Sequence, residues 1–341
     1  MPVYWGKQSN LIANNNYKLN MKISIIIPTY NRAQMLSMTI DSFLNQSYDK
    51  DLYEIIISNN NSTDSTEELV NNYIKEYPNR IRYLKETRQG SHFARNSAAK
   101  IANGEILYFT DDDMIADKHL LSEIIKVFKF DPKVASVTGR VLPKWEVNPP
   151  NWIFKLCFNG LLSLNNPPED FLISSNDCNV YSCHQAILRN VFFESGGFNP
   201  DIIGDEWIGD NETGLNIKIK ELGYKFGYNG SSIIYHMIPP QRMTQSYLNK
   251  RLANQGNCDS YTDYRKYNYS NPSLYKRMLI HFIKLIISEI ISFAYKIQGK
   301  DLWRIRHAKV FYYWNRIKYD FRLIVDPPWR ELVLKRDWLL E

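Results

Sequence analysis

The chain has 341 residues, 44% of them hydrophobic and 23% charged, which excludes disordered and fibrous classes and leaves room for one large α/β domain with an appendage. Its four cysteines (Cys157, Cys178, Cys183 and Cys258) form no CxxC pair and no zinc spacing, so a disulfide-built secreted scaffold is excluded and a reducing compartment is expected. The net charge of +6 is uneven: from Arg265 onward sixteen Lys or Arg stand against seven Asp or Glu, so everything before is about −3 and the basic end calls for an acidic partner.

Residues 1–20 are polar and Asn-rich, and they read as a loose arm without the apolar core of a secretory signal. From Lys22 the β-branched run Ile23 to Ile27, stopped by Pro28, predicts a fully buried strand. Met35, Leu36, Met38, Ile40, Phe43 and Leu44 fall at helical spacing, and Tyr53 to Ser58 predicts a second strand. After the turn Asn59 to Asp64, Ser62 or Thr63 is expected to cap a helix with Glu67 and Glu68 in its first turn. Ile81–Leu84, Ser91–Ala102 and Glu105–Phe109 continue as strand, helix and strand. This alternation predicts βαβ units around a parallel sheet, whose ligands sit beyond the carboxyl ends of the strands.

Three polar motifs occupy those ends: Pro28-Thr29-Tyr30-Asn31-Arg32, Asn59-Asn60-Asn61-Ser62 and Asp111-Asp112-Asp113. Three adjacent carboxylates repel one another unless a cation neutralises them, and hard divalent ions such as Mg2+ or Mn2+ take oxygen ligands of this kind. A solvated acidic loop is the plainer alternative, and the position at a strand end favours the metal.

These motifs, in this order and together with Gly90 and Ala94-Arg95-Asn96, resemble the family 2 glycosyltransferases of bacterial type over roughly Lys22 to His236. The resemblance implies the GT-A fold: α/β, with a Rossmann-like, mostly parallel sheet flanked by helices, followed here by a helical basic and aromatic C-terminal appendage. The implied division is a polar arm at 1–20, a glycosyltransferase domain at 21–260 (nucleotide-binding half 21–115, acceptor half 116–260) and a helical basic region at 261–341. The resemblance also implies an inverting, metal-dependent enzyme that moves a sugar from a nucleotide-diphospho sugar, expected to be uridine-linked, to a hydroxyl of a glycan or lipid-linked acceptor.

By the same resemblance the donor nucleotide meets Pro28, Thr29, Tyr30, Asn31, Arg32, Asn60, Arg95, Asp111 and Asp112, with Tyr30 on the base and the Asn60 carbonyl accepting from a base N–H. Asn59 and Asn60 stand where many members carry Asp, which leaves the base open. Asp113 is the implied metal ligand, with Asp111 and His236 completing the site for Mn2+ or Mg2+. Glu194 to Asn199 resembles the family's GGF turn, and Gly196, Gly197 and Trp207 are expected around the acceptor or sugar. Counting back from Leu215 and Gly223-Tyr224 puts Glu212 on the catalytic carboxylate, with Asp210 a close competitor that could equally cap the helix. The Cys178–His184 segment is expected to line the sugar pocket.

Between Met278 and Tyr295 apolar residues recur at helical spacing around a narrower polar face of His281, Lys284, Ser288 and Ser292. With the basic, aromatic stretch Trp303 to Arg316, this predicts a helix lying in an anionic membrane interface, or else packed on the catalytic domain. A cytoplasmic enzyme, peripheral on the inner face of a membrane, follows. No nucleic-acid motif accompanies the charge. A sugar-phosphate nucleotidyltransferase would need a Gly-rich basic loop after the first strand, which Pro28 to Arg32 is not; a non-catalytic nucleotide- or carbohydrate-binding protein would have no use for both acidic candidates.

Overall fold

The computed structural model describes residues 21–156, 159–203 and 206–340. The arm at 1–20, Cys157 and Gly204-Asp205 lie outside the described residues.

The N-terminal half runs β1 (Ile23–Thr29), α1 (Ala33–Leu44), β2 (Tyr53–Asn59), α2 (Thr66–Glu76), β3 (Ile81–Lys85), α3 (Ser91–Ile101) and β4 (Ile106–Thr110), as the alternating pattern predicts. Then follow β5 (Met114–Ala116), α4 (Leu120–Phe130), β6 (Val134–Trp145), α5 (Asn151–Leu156), β7 (Phe171–Ser174), β8 (His184–Leu188) and α6 (Arg189–Glu194). The hairpin β9 (Ile202–Ile203) and β10 (Glu206–Trp207) precedes α7 (Glu212–Glu221) and β11 (Lys225–Ile238). Four helices close the chain: α8 (Gln245–Tyr267), α9 (Asn271–Ile297), α10 (Trp303–Val325) and α11 (Pro327–Leu334).

Among the described residues a nine-stranded sheet has the order β3-β2-β1-β4-β8-β6-β11-β5, with β7 also on β11. Its first four strands are parallel, as expected; β8 then runs antiparallel between β4 and β6, so the second half is mixed. Period-two alternation sorts each strand's side chains between the two faces. Ile23, Ile25 and Ile27 join Leu36, Ile40 and Phe43 of α1 on one face. Ile26, Leu107 and Phe109 join Ala98 and Ala99 of α3 and Phe192 of α6 on the other.

The last strand is longer than Ile233 to His236 suggests. β11 carries a register shift between Asn229 and Ile233, which breaks the alternation that sequence reading relies on. The boundary drawn at residue 260 falls inside α8, whose Tyr261 and Tyr264 form one small core with Ile208, Tyr319 and Trp329. The chain also returns to the catalytic body beyond α11. Trp338 N–H donates to the Gly196 carbonyl, and Leu339 packs in the core of the second face. Lys218, buried under this segment, donates to the carbonyls of Gly197 (2.6 Å) and Arg336 (3.3 Å), and burial depresses its ammonium to about 7.

Candidate active site

The first two strand ends are latched together. Asn31 adopts the left-handed conformation (φ 52°), which its short polar side chain tolerates. Its N–H donates to Ser62 Oγ (2.9 Å), and its Oδ1 accepts the Thr63 N–H (2.7 Å). Ser62 and Thr63 therefore serve this latch and not the expected cap; Asp64 accepts the Thr66 N–H instead (3.1 Å) at the start of α2. The result is a cleft of about 190 Å³ lined by Pro28, Thr29, Tyr30, Arg32, Asn60, Asp111 and Asp112. Tyr30 is 48% exposed beside it, a flat ring open for stacking.

The acidic trio forms the cleft's inner edge. Asp112 is buried, accepts Thr29 Oγ1 (2.8 Å) and pairs with Arg32 (3.0 Å). Burial and the neighbouring Asp113 push its carboxyl up, against Arg32. Asp113 is held to β11 by the Met237 N–H on its carbonyl (2.9 Å), which brings it beside His236. Its Oδ2 pairs with Arg242 (2.7 Å) and Arg32 (3.2 Å) and lies 3.6 Å from His236 Nε2. Burial raises this carboxyl, but His236, Arg242 and Arg32 outweigh it and hold Asp113 low. His236 donates through Nδ1 to the Leu162 carbonyl (2.8 Å). This turns the Nε2 lone pair toward Arg242 Nη1, whose N–H it accepts, beside Asp113.

A divalent cation fits these residues. Asp113 Oδ1 is buried with no hydrogen-bond partner, and His236 Nε2 faces the same carboxylate. Among the described residues no three His, Cys, Asp or Glu side chains converge as a complete cage. Such ions, however, commonly take one or two protein donors together with substrate phosphate oxygens.

Asp111 is the most exposed of the trio and pairs with buried Arg95 (2.6 Å). Arg95 also takes Ser91 Oγ (2.7 Å), which donates to Asp201 (2.6 Å). The same guanidinium lies in the field of Glu212, and the Glu212 carboxyl in turn responds to Arg95, Arg251 and Asp111.

The two competing carboxylates have different surroundings. Asp210 is buried, with Oδ1 accepting from Asn199 (2.9 Å) and Oδ2 from Thr262 (2.7 Å), so it ties the GGF turn to α8. Glu212 opens α7, and its carboxyl meets Ser182 Oγ at 3.4 Å and its own backbone N–H. Burial raises its carboxyl above the ordinary range, against Arg95 and Arg251.

Several expectations are corrected. The Asn60 carbonyl is not open to a base: Oδ1 accepts the Gly90 N–H (2.8 Å), and Nδ2 donates to the Glu86 (3.1 Å) and Arg88 (2.6 Å) carbonyls. It holds the 86–90 loop that borders the cleft. Gly196 and Gly197 do not reach the cleft. Both have positive φ, and a Cβ on Gly197 would come within 2.9 Å of Asn96 and Leu339, so the turn's glycines admit the C-terminal segment. Trp207 is fixed by its Nε1–H donating to the Gly209 carbonyl and Cys258 Sγ, both at 3.1 Å. In the Cys178–His184 segment, Ser182 approaches Glu212, but His184 is a core residue bonded to Tyr108 OH (2.8 Å) and held near pKa 4 by burial. Sequence reading missed Arg242 and Arg251; the only signal for Arg242 is a basic residue six positions after His236.

Comparison with known proteins agrees with this geometry. Residues 24–196 match the model of glycosyl transferase family 2. A poly(ribitol-phosphate) beta-glucosyltransferase of Bacillus spizizenii is 40% identical over 131 residues, which is 36% of this chain and 21% of that protein. A GalNAc(5)-diNAcBac-PP-undecaprenol beta-1,3-glucosyltransferase of Campylobacter jejuni is 32% identical over 191 residues, 54% of this chain and 57% of its own length. The matches thus span well under two thirds of these relatives. Among solved structures, a Pyrobaculum calidifontis mannosyltransferase in complex with GDP-Man and Mn2+ superposes with a TM-score of 0.55 at 19% identity, over 93% of this chain and 79% of that one. GalNAc-T7 with UDP, GalNAc and Mn2+ gives 0.52 at 17% identity, over 70% and 48%. These likenesses establish the GT-A fold.

Proposed function

Because the chain belongs to glycosyl transferase family 2, we propose that it is a metal-dependent, inverting glycosyltransferase that moves a sugar from a uridine-diphospho sugar to a hydroxyl of a lipid-linked or surface-polymer acceptor. One observation carries this reading: the cleft at the strand ends is lined by Tyr30, Arg32, Asp111 and Asp112, and Arg32 ties it to Asp113, whose Oδ1 has no hydrogen-bond partner. The relatives named for polyol-phosphate and undecaprenol-linked acceptors support the acceptor class. The neighbours that hold nucleotide sugar and Mn2+ support the donor and ion classes. The basic region beyond residue 260 adds contact with an anionic membrane surface on the cytoplasmic side.

In this reading Tyr30 stacks on the base and Asp111, oriented by Arg95, receives the ribose side. Asp113 and His236 would hold Mn2+ or Mg2+, which would supply Lewis-acid stabilisation of the departing diphosphate. Arg32 and Arg242, already beside Asp113, offer their guanidinium donors to the same phosphate oxygens. Glu212 takes the proton of the acceptor hydroxyl as oxygen attacks the anomeric carbon from the face opposite the leaving group, and one displacement inverts the centre. Asp210 keeps α7 in place and takes no proton.

The test is transfer and donor hydrolysis on a panel of nucleotide sugars, with Mn2+, with Mg2+ and with chelator, for the wild type and Asp113→Ala. Chelation and the substitution are each expected to abolish turnover, with UDP competing better than GDP. Turnover that survives both refutes the metal-dependent mechanism.

A further inference from the structure

The helix α9 has its polarity reversed for a helix on a protein surface. The side chains it buries against α10 include His281, Ser288 and Ser292, with Ser292 Oγ donating to the Trp303 carbonyl (3.0 Å) and His281 stacked on Tyr313. The side chains it exposes are Leu279, Phe282, Ile283, Ile286, Ile290 and Phe293, the last 67% accessible. At 100° per residue these fall on one arc without a charge, opposite the packed face. A contiguous apolar surface of this kind marks an interaction site.

On α10 the exposed residues Phe311, Trp314, Lys318, Phe321 and Val325 follow at i, i+3, i+7, i+10 and i+14, a second and separate stripe. Exposed Lys276, Lys284, Lys296, Lys300 and Lys318 accompany the two faces. The acidic groups here are already paired: Glu289 with His307 (3.1 Å) and Asp320 with Arg277 (2.9 Å).

We propose that α9 is a one-sided anchor that lies flat in an anionic bilayer, with its apolar arc among the acyl chains and the neighbouring lysines at the headgroups. It deepens the membrane part of the proposed function and rests on that part alone. By length and composition α9 could cross a membrane. Lying in the plane suits it better, because its polar face is occupied by α10 along the helix and only the opposite arc meets lipid. The lysines select a negatively charged leaflet over a neutral one, and a second copy of this chain, equally basic, would meet like charge.

The experiment is co-sedimentation of the full chain with phosphatidylglycerol and with phosphatidylcholine vesicles, for the wild type, Ile290→Glu and Phe293→Glu. Melting shifts with UDP and Mn2+ are measured on the same preparations. The wild type is expected to bind phosphatidylglycerol at least tenfold more tightly than phosphatidylcholine, and each substitution to weaken binding about tenfold. The nucleotide-induced melting shift should stay unchanged, so that donor binding and anchoring fail separately. Brominated-lipid quenching that increases in Phe293→Trp gives a reading independent of both glutamates. Equal sedimentation of all three chains, equal binding to neutral vesicles, absence of quenching, or a vesicle-free dimer that the glutamates dissociate would each overturn the anchor.

Discussion

Exchanging one oxygen for nitrogen separates the two carboxylates near the acceptor side. Asp210→Asn turns one acceptor into a donor, with Asn199 and Thr262 at 2.9 and 2.7 Å. The amide keeps its oxygen toward Asn199 and turns its N–H toward Thr262, whose hydroxyl can accept, so two charge-assisted bonds become neutral ones, a loss of about 1 kcal/mol that lowers the melting temperature by about 2 °C. Glu212→Gln keeps the shape of a side chain held by Ser182 Oγ at 3.4 Å and removes a charge that burial disfavours, so the melting temperature should fall no further than in Asp210→Asn. Turnover should fall about 10²–10⁴-fold, because the amide cannot accept the hydroxyl proton. Burial raises the Glu212 pKa, and the base works only when ionised. The wild-type rate should therefore fall as pH drops through a value above the ordinary carboxylate range of about 4.3, and this limb should vanish in Glu212→Gln. Thermal melts, saturating-donor kinetics and a pH profile measure all three. A stable Asp210→Asn without turnover, beside an active Glu212→Gln, would reverse the assignment.

Asn60→Ala removes the side chain that holds Gly90, Glu86 and Arg88. It should destabilise by about 1–3 kcal/mol and weaken nucleotide binding more than turnover; denaturant melts and UDP titration check this, and unchanged binding would mean that the 86–90 loop does not border the donor. Trp338→Ala empties a site where the indole is 3% exposed, and should cost about 3–5 kcal/mol in a denaturant melt. A loss below about 1 kcal/mol would show that the C-terminal segment is not part of the core.

The N-terminal half was legible because its strands are short, fully buried and β-branched, and its polar motifs stand where such strands end. Asp111 to Asp113 stand out for that reason. What escaped depends on contacts distant in sequence. Asn60 looks like any exposed turn residue until the 86–90 loop closes over it. Gly196 and Gly197 read as an acceptor turn because nothing local tells that residues 336–339 fold against them. Arg242 reaches Asp113 across 129 positions, a pairing without any local period. In the tail, spacing gave the helix correctly, but which face packs inward depended on α10, so burial of the serines could not be foreseen.

The return of Trp338 and Leu339 to the Gly196 turn constrains how this enzyme can be recombined with others. A hybrid that exchanges everything beyond residue 260 would import not merely a new set of helices but also a foreign wedge for the hole beside Asn96. Shape at that hole, more than the splice point, would then decide which pairings yield a folded product. Retaining residues 335–339 of this chain at the end of any transplanted helical region keeps the lock and its key together.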